Sequence, residues 1–163
     1  MTETIYVRHE SACPGCGLEV ARGAEGCLEL YWERIGNLVH TTGHDRHMRL
    51  AWDTYCVQHP DRYCISAKSL IAHLSGLCWA IEYGGHITGY QALSRVLNGT
   101  LTVPKPQIPL FHGTVTIADV PGREDANAHA EAIERWGANV WEAYRMLHSF
   151  ARRWIETALS SHL

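Results

Sequence analysis

The sequence predicts a mainly α-helical bundle, opened by a glycine-punctuated loop with two cysteines and interrupted by one extended segment. Three observations carry that prediction. Apolar residues recur at steps of three and four through most of the chain from Cys27 to Leu159. His59-Pro60, Gly84-Gly85 and Pro121-Gly122 cut this pattern into helix-sized pieces. Between them, Pro104-Lys105-Pro106-Gln107-Ile108-Pro109 cannot form a helix interior, because proline lacks the amide donor and clashes with the preceding turn.

With 163 residues, 46% hydrophobic and 19% charged, the chain is large and apolar enough to bury a core, which excludes global disorder and predicts one domain over 1–163. Its parts are an opening at 1–26, shorter helices at 27–99, an extended connector at 100–122 and one long C-terminal helix at 123–163.

The opening is irregular: Pro14, Gly15, Gly17, Gly23 and Gly26 interrupt it, and Cys13 and Cys16 sit in its tightest turn. The first helix is expected from Cys27 to about Val39, with Leu28, Tyr31, Trp32, Ile35, Leu38 and Val39 as its apolar set. A second spans Met48 to about Gln58 and stops at His59, since the residue before a proline is driven out of helical geometry. The third, Ser66 to Tyr83, buries Leu70, His73, Leu74, Leu77, Cys78 and Ile81 on one face before Gly84-Gly85. A shorter helix from about Ile87 to Leu97 ends at Asn98-Gly99. Thr114 to Val120 alternates like a strand, or forms an extended strap across the bundle. From about Asp125 to Leu159, Ile133, Trp136, Val140, Tyr144, Leu147, Ala151 and Trp154 keep helical spacing and predict one continuous helix serving as the spine of the bundle.

Charge and targeting narrow the function. A formal charge of −3 supplies no attraction for phosphate backbones or anionic lipid, which argues against a nucleic-acid partner. Met1 to Glu10 carries no apolar signal core and no run is long enough to span a bilayer, so a cytoplasmic protein with no membrane partner is expected. In that reducing setting six cysteines point to free or metal-bound thiols rather than disulfides.

Cys13-Pro14-Gly15-Cys16-Gly17 has the form of a zinc knuckle: two intervening residues let both thiolates reach one tetrahedral ion, and the glycines permit the turn. A redox Cys-x-x-Cys would follow a strand and open a helix, and neither signal flanks this loop. Cys27 is the nearest third ligand. The fourth is open among His9, His44, His47, Cys56 and His59. Cys78, on a clean apolar face, reads as a small buried hydrophobe. A second group has His59 at a helix end and His73 and His148 projecting inward from their helices, with Asp53 and Gln58 nearby in sequence, and either forms a metal site with an open position or consists of separately bonded core imidazoles. The tryptophans and tyrosines at helical core spacing, Trp136, Trp141, Tyr144 and Trp154 among them, read as packing rather than base-stacking platforms.

The Cys13-Pro14-Gly15-Cys16-Gly17 loop, Asp53-Thr54-Tyr55 with Gln58-His59-Pro60, Ser69 with His73-Leu74, and Trp141 with His148 together resemble an uncharacterised family of small bacterial proteins. Cys27 matches the cysteine that opens the first helix there, whereas Leu28 stands where that family has tryptophan and its earlier His-x-Tyr is absent. The resemblance implies a bacterial zinc-binding protein and carries no reaction. The inward histidines are also similar in placement to those of DinB-like metal-dependent bundles, some of which transfer or hydrolyse thiol conjugates. Three readings follow: a helical protein with structural zinc, a DinB-like transferase or hydrolase built on the His set, and a zinc-ribbon-like nucleic-acid or partner-binding module, the last disfavoured by charge.

Overall fold

The computed structural model describes residues 12–36, 45–100 and 102–161. Seven α-helices follow one another: α1 Ala24–Ile35, α2 Arg46–Gln58, α3 Pro60–Tyr63, α4 Ala67–Glu82, α5 Ile87–Asn98, α6 Ala126–Ala143 and α7 His148–Ser160. No strand occurs among the described residues, so the mainly α class holds.

The helix ends follow local chemistry. Asp45 caps α2 by accepting from the His47 amide, and Ser66 and Ser69 cap α4 reciprocally. Pro60 opens α3, where its missing amide would have had no partner anyway. Gly84 and Gly85, both at positive φ, end α4. α1 begins before Cys27 and ends at Gly36, while Leu38 and Val39 of the predicted helix lie outside the described residues.

The central element is α2, packed between α4 and α6, and most of its residues from Leu50 to Gln58 are buried. Helix α7 lies against α4 and α5. Tyr31 of α1 meets Tyr55 of α2 at 4.7 Å between ring centroids, and Trp136 of α6 flanks both rings, so the aromatic residues fill the core. Trp136 and Tyr144 are fully buried, as their helical spacing predicts.

Two elements depart from the plain periodic pattern. Of the two expectations for 114–120, strand or extended strap, the structure has the strap, which ends in a single 3-10 turn, Ile117–Asp119. Its backbone groups are met by side chains instead of a partner strand. Asn139 Oδ1 accepts from the amides of Thr114 and Val115, while the Gln58 amide donates to the carbonyl of Val115 at 2.8 Å and to that of His112.

The predicted long C-terminal helix is also two helices. After Ala143 the chain passes through Tyr144 and a 3-10 turn, Arg145–Leu147, before α7 resumes. Tyr144 is drawn inward, its hydroxyl donating to the carbonyl of Val57 at 2.6 Å. The carbonyl of Trp141, which takes the Tyr144 amide at 3.0 Å, also receives the Nε2–H of His148 at 2.8 Å. At the far side of this junction, Arg152 forms two hydrogen bonds to Glu82.

Candidate metal centre

The cysteine loop closes on itself through two backbone hydrogen bonds. The Cys13 amide donates to the Leu18 carbonyl and the Gly17 amide to the Cys13 carbonyl, each at 2.8 Å. Gly17 sits at φ 76°, which a side chain adopts only with strain, so the glycine permits this turn. The loop brings Cys13 and Cys16 to one side.

Cys27 reaches the same point from the first turn of α1, on the buried stripe it shares with Tyr31 and Ile35. His59 comes from the break between α2 and α3 that Pro60 imposes. The ligand atoms of Cys13, Cys16, Cys27 and His59 all lie within 4.8 Å of one another. The sulfurs of Cys16 and Cys27 are 3.7 Å apart, and the Cys27 sulfur is 3.4 Å from His59 Nε2. This group can hold a metal ion.

The histidine is held in the required tautomer. Its Nδ1 is 2.7 Å from the Tyr55 carbonyl, which can only accept, so Nδ1 carries the proton and Nε2 faces the sulfurs. The ring also stacks on Tyr55 at 4.0 Å between centroids. On its other edge it meets the loop backbone, for a Cβ on Gly15 would fall 2.4 Å from His59 Cδ2. From the segment just before the strap, His112 Nδ1 lies 3.0 Å from the Gly15 carbonyl and Nε2 2.8 Å from that of Pro109, which ties the loop to residues 109–112.

Three thiols in one buried place cannot all ionise by themselves. Hydrogen bonds from Cys16 and Cys27 hold the Cys13 thiol far below its usual range, and the same contacts, with burial, push the Cys27 thiol far above it. Burial pulls His59 down, but hydrogen bonds to Cys13 and Cys16 outweigh it and raise the imidazole to about 9. The cluster therefore retains protons that a metal ion held there would displace.

Cys13, Cys16 and Cys27 meet as their spacing predicts, and of the open candidates for a fourth ligand His59 joins them. His9 and His44 lie outside the described residues. His47 is 3.2 Å from Glu134 at the start of α2. Cys56 is buried apart from the group, its thiol pushed up by burial, and Cys64 and Cys78 are likewise buried thiols, pushed up to about 12.

The set His59, His73 and His148 is not brought together, which corrects the shared inward-histidine expectation: among the described residues the one such group is the Cys and His59 cluster. His148 satisfies the helix break and stacks on Trp141 at 3.7 Å between centroids. His73 Nδ1 lies 2.9 Å from Asp53 Oδ1. Helical spacing showed that both faced inward, but it carries no information on which neighbour each would meet. The sequence motifs do not single out Tyr55 as the group orienting His59, although its position four residues earlier on α2 is a usable signal.

A family model described as a family of unknown function (DUF5946) matches residues 11–145, most of the chain and all four residues of the cluster. No curated protein and no solved structure matches the chain.

Proposed function

The chain belongs to this family of unknown function, and on that premise we propose that it is a zinc-binding helical protein in which zinc is structural, tying the N-terminal loop to the bundle through Cys13, Cys16, Cys27 and His59. The observation that carries this reading is the spacing of the donor atoms. A tetrahedron with metal–sulfur bonds of about 2.3 Å and metal–nitrogen bonds of about 2.0 Å has sulfur–sulfur edges of about 3.8 Å and sulfur–nitrogen edges of about 3.5 Å. The distances of 3.7 Å and 3.4 Å match those edges closely.

Three thiolates and an imidazole form a soft donor set that favours zinc over magnesium or calcium. Four protein donors complete a tetrahedron and leave no position for a catalytic water, and Cys13, Cys27 and His59 are buried. Zinc in this place supplies a cross-link between segments far apart in sequence. Residues 12–23 contain no helix and few apolar side chains, so the ion would replace the core that this segment lacks. Six cysteines without a disulfide suit the reducing cytoplasm, here of a bacterium by the resemblance of the motifs. No helix among the described residues is long and apolar enough to cross a membrane.

Metal analysis of protein purified under reducing conditions, without added metal, tests the reading. About one zinc per chain is expected. His59→Ala and Cys27→Ser should each lose it, whereas His47→Ala should not. Wild-type protein that is folded yet free of zinc, and that takes up none on titration, would overturn the reading.

A further inference from the structure

The cysteine cluster is closed unevenly against its surroundings. Cys13, Cys27 and His59 are buried, and Cys16 alone of the four is partly exposed. The loop is open beside it: a Cβ on Gly17, the next residue, would meet no atom within 4 Å. Behind Cys16, its sulfur 3.7 Å away, stands Cys27 on the buried stripe of α1. One ligand thus meets solvent, and a second thiol lies within reach of it.

The other cysteines are placed differently. Cys56, Cys64 and Cys78 are buried and belong to no such group among the described residues. Burial pushes their thiols up, those of Cys64 and Cys78 to about 12, so at neutral pH they carry almost no thiolate. A thiolate that solvent can reach is the form that reacts with hydroperoxides, and a neighbouring thiolate carries the first product on to a disulfide. Coordination to zinc keeps the cluster sulfurs deprotonated without any base.

We infer that the partly exposed Cys16 is an oxidation site for hydroperoxides, with Cys27 as its resolving partner, and that their disulfide releases the ion and uncouples the loop from α2. This inference rests on the zinc reading above. The Cys16 sulfur attacks the terminal oxygen of the hydroperoxide: a sulfur–oxygen bond forms, and the oxygen–oxygen bond breaks with its electron pair on the departing hydroxide or alkoxide. The Cys27 sulfur then attacks that of Cys16, so that the disulfide forms as the sulfur–oxygen bond breaks and hydroxide leaves. Each sulfur gives up one electron, the hydroperoxide takes two, and the two departing oxyanions take protons from the solvent.

The ion is then left with Cys13 and His59, too few donors for a closed tetrahedral site. The cross-link also changes place. Zinc ties the loop and α1 to the end of α2, whereas the disulfide closes only the segment 16–27 on itself. The loop keeps the His112 bond to the Gly15 carbonyl and the packing of Leu18 and Val20 on the core, and loses its metal-mediated tie to His59.

The test adds one equivalent of hydrogen peroxide to the full chain, with its metal content measured beforehand and no reductant present. A chromophoric chelator reports released zinc, peptide mass mapping locates the oxidised sulfurs, and hydrogen exchange follows the loop. Zinc release should accompany a Cys16–Cys27 disulfide, with Cys56, Cys64 and Cys78 reacting at least about tenfold more slowly. Amides of 12–23 should then exchange at least about tenfold faster while those of α4 stay protected, and dithiothreitol with zinc should restore the starting state. The inference is overturned if the zinc-loaded chain keeps its ion, if the bond joins Cys13 to Cys16, if Cys16 reaches the sulfonate with no disulfide, or if the oxidised loop exchanges as before. A folded chain that holds no zinc before peroxide is added, and takes up none, overturns the zinc reading and this one with it, so the two failures are told apart by the first measurement.

Discussion

Replacing Gly15 by alanine tests the metal centre without touching a ligand. The backbone at Gly15 is not left-handed, so alanine introduces no torsional strain. It does introduce a Cβ 2.4 Å from His59 Cδ2, 3.0 Å from Cγ and 3.2 Å from the Gln58 carbonyl oxygen. Relief of the closest contact requires a shift of about 1 Å, given ordinary carbon–carbon separations of about 3.5 Å. The ring cannot supply that shift, because it is bonded to the Tyr55 carbonyl and stacked on the Tyr55 ring. The loop must move instead, carrying Cys13 and Cys16 away from Nε2. Overpacking of this kind costs about 1 to 3 kcal/mol. If that cost falls on the metal-bound state, zinc affinity drops by roughly five- to 150-fold, at 1.4 kcal/mol per tenfold. Competition against a chromophoric chelator measures the affinity, and a thermal melt should fall by about 2 to 12 °C for a chain of this size. Gly17→Ala is the control: it has φ 76° but open space around it, so it should lose about 1 kcal/mol of stability by strain while changing affinity less than Gly15→Ala. A Gly15→Ala protein with wild-type zinc affinity and melting temperature would refute the packing of the loop against His59.

Cys16→Ser should expose the segment before Cys27 to limited proteolysis while α2 and α4 stay protected, because the loop has little core of its own; an unchanged cleavage pattern would show that the loop is held by other means. His148→Gln should cost about 1 to 3 kcal/mol in a denaturant titration through the Trp141 carbonyl and the lost ring stack, with metal content unchanged. Gln58→Leu should cost about 2 to 4 kcal/mol, since it orphans Trp136 Nε1 together with the Val115 carbonyl and loosens the strap. Zinc affinity should rise with pH at least about tenfold per unit between pH 6 and 8, because zinc displaces from His59 a proton held up to about 9 as well as those on the thiols; an affinity flat across that range would exclude His59 as a ligand.

What the sequence revealed of this molecule depended on whether the cause was local. Cys13 and Cys16 are readable as a ligand pair because the loop that joins them is five residues long and its glycines leave few alternatives. Helices α2, α4 and α5 are readable because proline, glycine and capping serines act within one turn of the boundary they set. His59 remained one of several candidates, since its place depends on how α1 packs across α2. The break at Tyr144 has no local marker: residues 143–148 contain neither glycine nor proline, and the turn follows from a tertiary bond to the Val57 carbonyl. The strand pattern at 114–120 failed for the same reason, as the side chains of Gln58 and Asn139 met its backbone groups before any strand could.

The placement of His59 and Asp53 on one helix gives the fold a mechanical consequence. Between them lies Tyr55, whose carbonyl fixes the His59 ring and whose own ring stacks on both His59 and Trp52. Trp52 in turn lies 6.4 Å from His73 between centroids and lines a cavity of about 340 Å³ together with Asp53 and His73, which are paired at 2.9 Å. A displacement of His59 therefore reaches the cavity through two stacked rings, with no intervening loop to absorb it. The last turn of α2 is also held by the Tyr144 hydroxyl on the Val57 carbonyl and by Trp136 Nε1 on Gln58, so the displacement is small and local to the stacked rings. Removing zinc should accordingly alter the Trp52 and His73 ring signals while leaving those of Trp154, on α7, in place. Identical His73 signals in zinc-loaded and zinc-free protein would mean that α2 is held by α4 and α6 alone, and that the cysteine cluster and the Asp53–His73 pair are mechanically separate.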